Sequence, residues 1–175
     1  MSDTDLSNEP QAVDVSSPET HYLVQCSQVS LVNSILKPIE DYEKVDISRF
    51  LFKIEITVEH RAALAYLHVQ VAAMSDTPFI LGCSLNFTLM GIFRAEGEMP
   101  PEALGDFARH YTLAILWPYA REYTADQLRR AGLPFDELPI INPQVVTEKL
   151  IDANLIELKI FSDDDEGAKV AQATG

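Results

Sequence analysis

The chain has 175 residues, 47% of them apolar, and a formal net charge of −14, which is enough apolar material for the core of one domain. So acidic a surface repels phosphate backbones, which argues against a nucleic-acid partner and favours a basic one. No stretch reaches the roughly 18 apolar residues of a membrane span, the start MSDTDLSNEP lacks the basic and apolar run of a signal peptide, and Cys26 and Cys83 are too few for a disulfide framework; a cytoplasmic protein with two reduced thiols and no membrane insertion is expected.

Residues 1–20 are rich in Ser, Asp, Glu and Pro and carry few large apolar groups, so a disordered tail is expected there. The domain is expected over 21–161, and a second disordered, acidic tail over 162–175. Tyr22 to about Ser34 reads as a strand whose broken alternation implies a bulge. Phe50, Phe52, Ile54, Ile56 and Val58 alternate with Leu51, Lys53, Glu55, Thr57 and Glu59, the pattern of a strand with one wet face. Ala65, Leu67, Val69 and Val71 form the apolar face of the next strand, and the short link at Glu59-His60-Arg61 makes the two an antiparallel hairpin. After the turn Ser75-Asp76-Thr77-Pro78, Phe79, Leu81, Cys83, Leu85, Phe87 and Leu89 share one face of a further strand, with Ile80, Gly82, Ser84, Asn86 and Thr88 on the other.

From there the spacing becomes helical. Met99-Pro100-Pro101-Glu102 starts a helix, and Leu104, Phe107, Ala108, Tyr111 and Ile115 predict its buried stripe. Pro118 predicts a kink or break near Trp117, and Gly132 a C-terminal cap. Leu133 to Pro139 holds two prolines and is a connecting loop. Asn142-Pro143 caps a last helix carrying Val146, Leu150 and Ala153 and reaching Ile156. Four strands followed by helices predict an α+β fold, a four-stranded antiparallel sheet with helices packed on one face.

Three segments resemble the SecB family of export chaperones. Gly91-Ile92-Phe93 matches the family's Gly-Ile-Phe at the end of the last strand. Trp117-Pro118-Tyr119-Ala120-Arg121-Glu122 matches a helical Phe-Pro-Tyr-Ala-Arg-Glu. Leu133-Pro134 and Ile140-Ile141-Asn142-Pro143 match a Pro-rich connection. The resemblance implies a homotetramer built as a dimer of dimers. It also implies a holdase with no catalytic centre and no cofactor, which keeps unfolded polypeptides or preproteins in surface grooves for protein export and translocation.

The matching groove borders are Ile35 to Tyr42 and Leu133 to Ile141, with Ile35, Leu36, Ile39, Tyr42, Leu133, Phe135, Leu138 and Ile140 as client-binding candidates. Both mix apolar groups with prolines, which lower the entropy lost on binding. The same residues also suit a plain core-completing role. In export members an acidic sheet face docks SecA. The matching positions here are Gln28, Val32 and Asn86, with Ser84 in place of a leucine, and none of them is acidic. Glu55 and Glu59 are the candidate substitutes. An antitoxin-type client is therefore an alternative to export.

Other chemistries have little support. His21, His60, His68 and His110 form no metal-ligand spacing with the cysteines, and Gly91 and Gly97 make no phosphate loop. The rival classes are a small-ligand-binding α+β domain and an enzyme whose site the sequence hides.

Overall fold

The computed structural model describes residues 23–39, 50–74, 82–133 and 138–161. The expected tails, Tyr42, the turn at 75–78, the strand start at Phe79, Ile80 and Leu81, and Phe135 lie outside the described residues. Five strands and two helices follow in the order β1 (Val24–Pro38), β2 (Phe50–Glu59), β3 (Ala62–Met74), β4 (Gly82–Ala95), α1 (Pro101–Arg130), α2 (Pro143–Asp152) and β5 (Ile156–Phe161). The sheet order is β1-β4-β3-β2-β5.

The period-two segments become the central strands. Ile54, Ile56 and Val58 of β2, Ala65, Leu67, Val69 and Val71 of β3, and Cys83, Leu85, Phe87 and Leu89 of β4 are all buried on one face. β2 and β3 pair antiparallel from Phe50↔Val71 to Glu59↔Ala62. His60, at φ 52, turns the hairpin. β1 pairs antiparallel with β4 and shifts register twice, between Cys26 and Gln28 and between Leu31 and Asn33; these are the bulges that its broken alternation predicts.

Four features differ from the sequence expectation. The sheet has five strands, not four, and is mixed, because β5 pairs parallel with β2 from Ile54↔Ile156 to Glu59↔Phe161. Ile156 therefore belongs to this strand and not to the last helix; α2 stops at the Ala153 cap and Asn154 takes a positive φ of 52. β1 continues through Ile35, Leu36, Lys37 and Pro38, because β4 offers partners as far as Cys83; the edge position tolerates Pro38. Finally, α1 runs unbroken for 30 residues through Pro118. Pro118 is exposed, and buried side chains on both sides of it, Leu116 and Trp117 before and Ala120, Thr124 and Leu128 after, hold the helix on the sheet.

The buried stripe of α1 is also displaced from the predicted one. Leu104, Ala108, Thr112, Leu113, Leu116 and Ala120 face inward, Phe107 and Ile115 are half-buried, and Tyr111 is exposed. Small residues explain the close approach. A Cβ on Gly105 would stand 3.2 Å from Leu158 Cδ1 and 3.3 Å from Val58 Cγ2, and one on Gly91 would stand 3.2 Å from Leu116 Cδ2. Asn142 caps α2 as expected, its Oδ1 accepting from the amides of Gln144 (3.1 Å) and Val145 (3.4 Å).

Gly105→Val is expected to lower unfolding stability by about 1–3 kcal/mol through overpacking against Leu158 and Val58, read as a reduced urea midpoint with unchanged slope.

Candidate functional site

Three apolar or polar surfaces remain around this core. The first is an aromatic cluster on the β2 side. Alternation puts Phe50 and Phe52 on the helix-facing side of β2, where both are half-buried and stacked at 6.3 Å between ring centroids. Trp117 of α1 tilts against both, at 5.6 Å and 5.5 Å. The connection from α1 to α2 is tied down beside it. Trp117 Nε1 donates to the Pro139 carbonyl (3.1 Å) and Arg121 Nε to the Leu138 carbonyl (2.7 Å). These two bonds anchor Leu138 and Pro139 to α1, and Ile140 follows at 86% exposure.

The second surface is the β1 edge. Leu31, Val32, Ile35 and Leu36 are each 42–50% exposed, and Tyr111 and Tyr119 of α1 are about half exposed. Between strand and helix lies an open groove of about 290 Å³ lined by Val29, Leu31, Leu89, Tyr119, Glu122 and Tyr123.

The third is the outer sheet face, which no described element covers. Asn33, Thr88, His68 and Lys53 form one row across β1, β4, β3 and β2. His68 Nδ1 meets Thr88 Oγ1 at 3.0 Å, and its Nε2 lies 3.7 Å from Glu55 Oε2. Lys53 bridges Glu55 and Glu157, and Lys159 bonds Glu157 at 2.8 Å.

The predicted site residues separate among these surfaces. Ile140 stands exposed beside the aromatic cluster. Ile35 and Leu36 are exposed, but on the β1 edge and on opposite faces of it. Leu36 shares a row with Leu85, Val71 and Phe50, so three strand spacings, about 14 Å, separate it from the cluster. Ile39, Leu133 and Leu138 are buried at 8%, 6% and 2% exposure. Ile39 donates its amide to the Gly82 carbonyl, and Leu133 to that of Leu128. Leu133 and Leu138 belong to the core cluster and Ile39 is buried at the end of β1, so of the described candidates only Ile35, Leu36 and Ile140 stand exposed.

Among the docking candidates, Gln28, Ser84, Asn86, Glu55 and Glu59 lie on the outer face, and Val32 lies in the second bulge of β1. Gln28 Nε2 donates to Ser30 Oγ (2.7 Å), and Asn86 Nδ2 to Ser84 Oγ (3.2 Å). Phe50, Phe52 and Trp117 were not among the candidates. Their only signal was the pair of phenylalanines where β2 begins and, far along the chain, its one tryptophan; only the fold brings them together.

The charge is unevenly placed. The described residues hold 11 Asp and Glu against 10 Lys and Arg, while the other 16 acids stand against only three cations. Glu40, Asp41, Glu43 and Asp46 lead directly into Phe50, and Asp136 and Glu137 into Leu138. Among the described residues no group of His, Cys, Asp and Glu is arranged to hold a metal. Burial pushes the Cys83 thiol up, away from the thiolate that nucleophilic chemistry needs. Among the described residues no helix is long and apolar enough to cross a membrane.

No family profile and no curated protein matches the sequence. Among solved structures, the chain is similar to the SecB-like chaperone of Mycobacterium tuberculosis in complex with a ChAD peptide from an antitoxin. The likeness has 19% identity and a TM-score of 0.53, and covers 68% of this chain and 88% of that one. At that identity it establishes a SecB-like fold.

Hydrogen bonds from Lys159 and Lys53 hold the Glu157 carboxyl down to about 2 from an ordinary 4.5. A depressed carboxylate stabilises the fold above its unfolded pKa, and the contribution disappears as pH falls from about 4.5 towards 2. All these groups are exposed, so the effect is small and salt-sensitive. Glu157→Gln is expected to flatten the acid limb of the stability profile in that window, measured by urea unfolding at stepped pH in low salt.

Proposed function

We propose that the chain is a cytoplasmic, non-enzymatic, cofactor-free holdase that binds extended segments of unfolded polypeptides at the aromatic cluster beside β2. The observation that carries the reading is the half-buried pair Phe50 and Phe52 packed on the buried Trp117, next to Ile140, which is exposed to solvent beside the anchored Leu138 and Pro139. An apolar surface on a rigid frame accepts varied side chains without demanding one sequence. The acidic segments leading into Phe50 and Leu138 favour clients with basic residues near their apolar ones. The SecB-like fold supports a chaperone role in general.

The energetics restrict the binding mode. Ordering six client residues costs about 6–12 kcal/mol of backbone entropy. Three or four apolar side chains, each gaining about 1.5–3 kcal/mol if fully covered, contribute about the same. Side-chain burial alone therefore comes out near zero, and useful affinity requires a further source of binding energy.

Between the two chaperone duties, an antitoxin-type client is favoured over hand-off of preproteins to SecA. The similar mycobacterial chaperone holds an antitoxin peptide. The outer face here also carries Gln28, Ser84 and Asn86 where export members have a largely acidic set. Assembly as a homotetramer accompanies this reading. A 15-residue edge strand with exposed Leu31, Ile35 and Leu36 is a surface that folded proteins normally pair or protect, and a second copy would cover it together with the groove below Tyr119.

The central test measures suppression of aggregation of a chemically unfolded protein, with the assembly mass determined by light scattering. A chain that leaves aggregation unchanged at several-fold excess is no holdase. Ile140→Asp is expected to weaken client binding about tenfold while shifting stability by no more than about 0.5 kcal/mol, as an exposed substitution. Leu31→Lys with Leu36→Lys is expected to lower the assembly mass and leave the far-UV circular dichroism unchanged.

A further inference from the structure

β5 closes one side of the sheet, and among the described residues no strand pairs with its outer edge. Such an edge is a template for another strand unless the protein blunts it. Here it is not blunted by apolar burial: Leu155 is 60% exposed, Ile160 37% and Phe161 43%. Register with β2 fixes which way the side chains of β5 face. Ile156, Leu158 and Ile160 lie in line with Ile54, Ile56 and Val58 on the helix side, and Glu157 and Lys159 with Glu55 and Thr57 on the outer side.

The segment Leu155-Ile156-Glu157-Leu158-Lys159-Ile160-Phe161 is complementary to itself when reversed. We propose that β5 pairs antiparallel with β5 of a second copy of this chain, about a two-fold axis at Leu158. Opposite residues of an antiparallel pair share a face, so Glu157 meets Lys159 of the second copy twice over, on the outer side. On the helix side Leu158 meets its own equivalent and Ile156 meets Ile160, while Leu155 meets Phe161. The register is selected by charge. A slip of two residues one way sets Glu157 against Glu157, and the other way Lys159 against Lys159, and like charges directly opposite are destabilising. Within one copy Glu157 already bonds Lys53 and Lys159 at 3.0 Å and 2.8 Å, yet these side chains stay 41–58% exposed and within reach of a partner. The contact is isologous, the same patch on both copies. It lies at the opposite edge of the sheet from β1 and does not depend on the client site. One short strand per copy makes a small interface, so the dimer is concentration-dependent.

The test uses the full chain carrying Leu31→Lys and Leu36→Lys, which removes the contact proposed for β1, with self-association followed by analytical ultracentrifugation. Strand pairing predicts a dimer that Glu157→Lys alone and Lys159→Glu alone each weaken at least tenfold, because each sets like charges opposite at both pairs. An equimolar mixture of those two variants is expected to dimerise at near-parental strength, since every cation then meets an acid. A chain that stays monomeric, a dimer that survives both reversals, or a mixture no stronger than its separate components overturns the proposal. Hydrogen exchange on the chain without the β1 substitutions gives a second reading, because alternate amides of a strand point to opposite edges. Glu157→Lys is expected to quicken exchange at the β5 amides that point away from β2 and to leave those bonded to β2 slow; an unchanged outward set overturns the proposal as well.

Discussion

The fold depends on one helix lying across a sheet that is wider than it is. α1 has 30 residues, about 45 Å of length but only about 10 Å of width with its side chains. Five strands span about 19 Å between the outermost axes. Gly105 lets the helix settle close on β2 and β5, and Gly91 lets it settle close on β4, sealing the apolar rows of β2, β3 and β4. Close seating there leaves the flanks short of cover. Both sides accordingly retain part-exposed apolar groups, at Phe50 and Phe52 on one side and at Leu31 and Leu36 on the other.

The two flanks are unlike in ways that bear on what they do. On the β2 side the wall is built from rigid aromatics and a loop clamped by Trp117 and Arg121, a surface shaped before anything arrives. On the β1 side a long bulged edge faces a groove under Tyr119 with no described element to finish it. The outer face carries paired charges at its β2–β5 end, Lys53 and Lys159 with Glu55 and Glu157, and Ser84, Asn86 and Thr88 along β4. Most of the acidity of the chain lies in segments flanking the described body, two of which lead into the elements that form the aromatic cluster.

The period-two runs of β2, β3 and β4, their hairpin, the bulged character of β1 and the Asn142 cap were legible because each is a local pattern. What escaped was decided by partners distant in sequence. Ile35 to Pro38 look like a loop until β4 supplies bonding partners out to Cys83. Pro118 reads as a break, yet inward side chains before and after it keep α1 straight enough to stay on the sheet. β5 is six residues long and parallel, and its place is set by β2, about a hundred positions earlier. The candidate site was half legible for the same reason. Proline-rich connections marked where the surface would be, but which of their apolar groups turned inward depended on the core beneath. Leu133 and Leu138 fill it, Ile140 does not, and the aromatic cluster includes Phe50 and Phe52, which alternation alone assigns to the interior.

The position of Trp117 has a practical consequence. It is the sole indole of the protein, buried to 3% exposure, flanked by two phenyl rings and bonded through Nε1 to a loop carbonyl. Its fluorescence is therefore an intrinsic optical probe of the cluster. Emission from this one fluorophore will follow any event that opens, fills or rewets that corner of the molecule, with no label attached and no background from a second tryptophan.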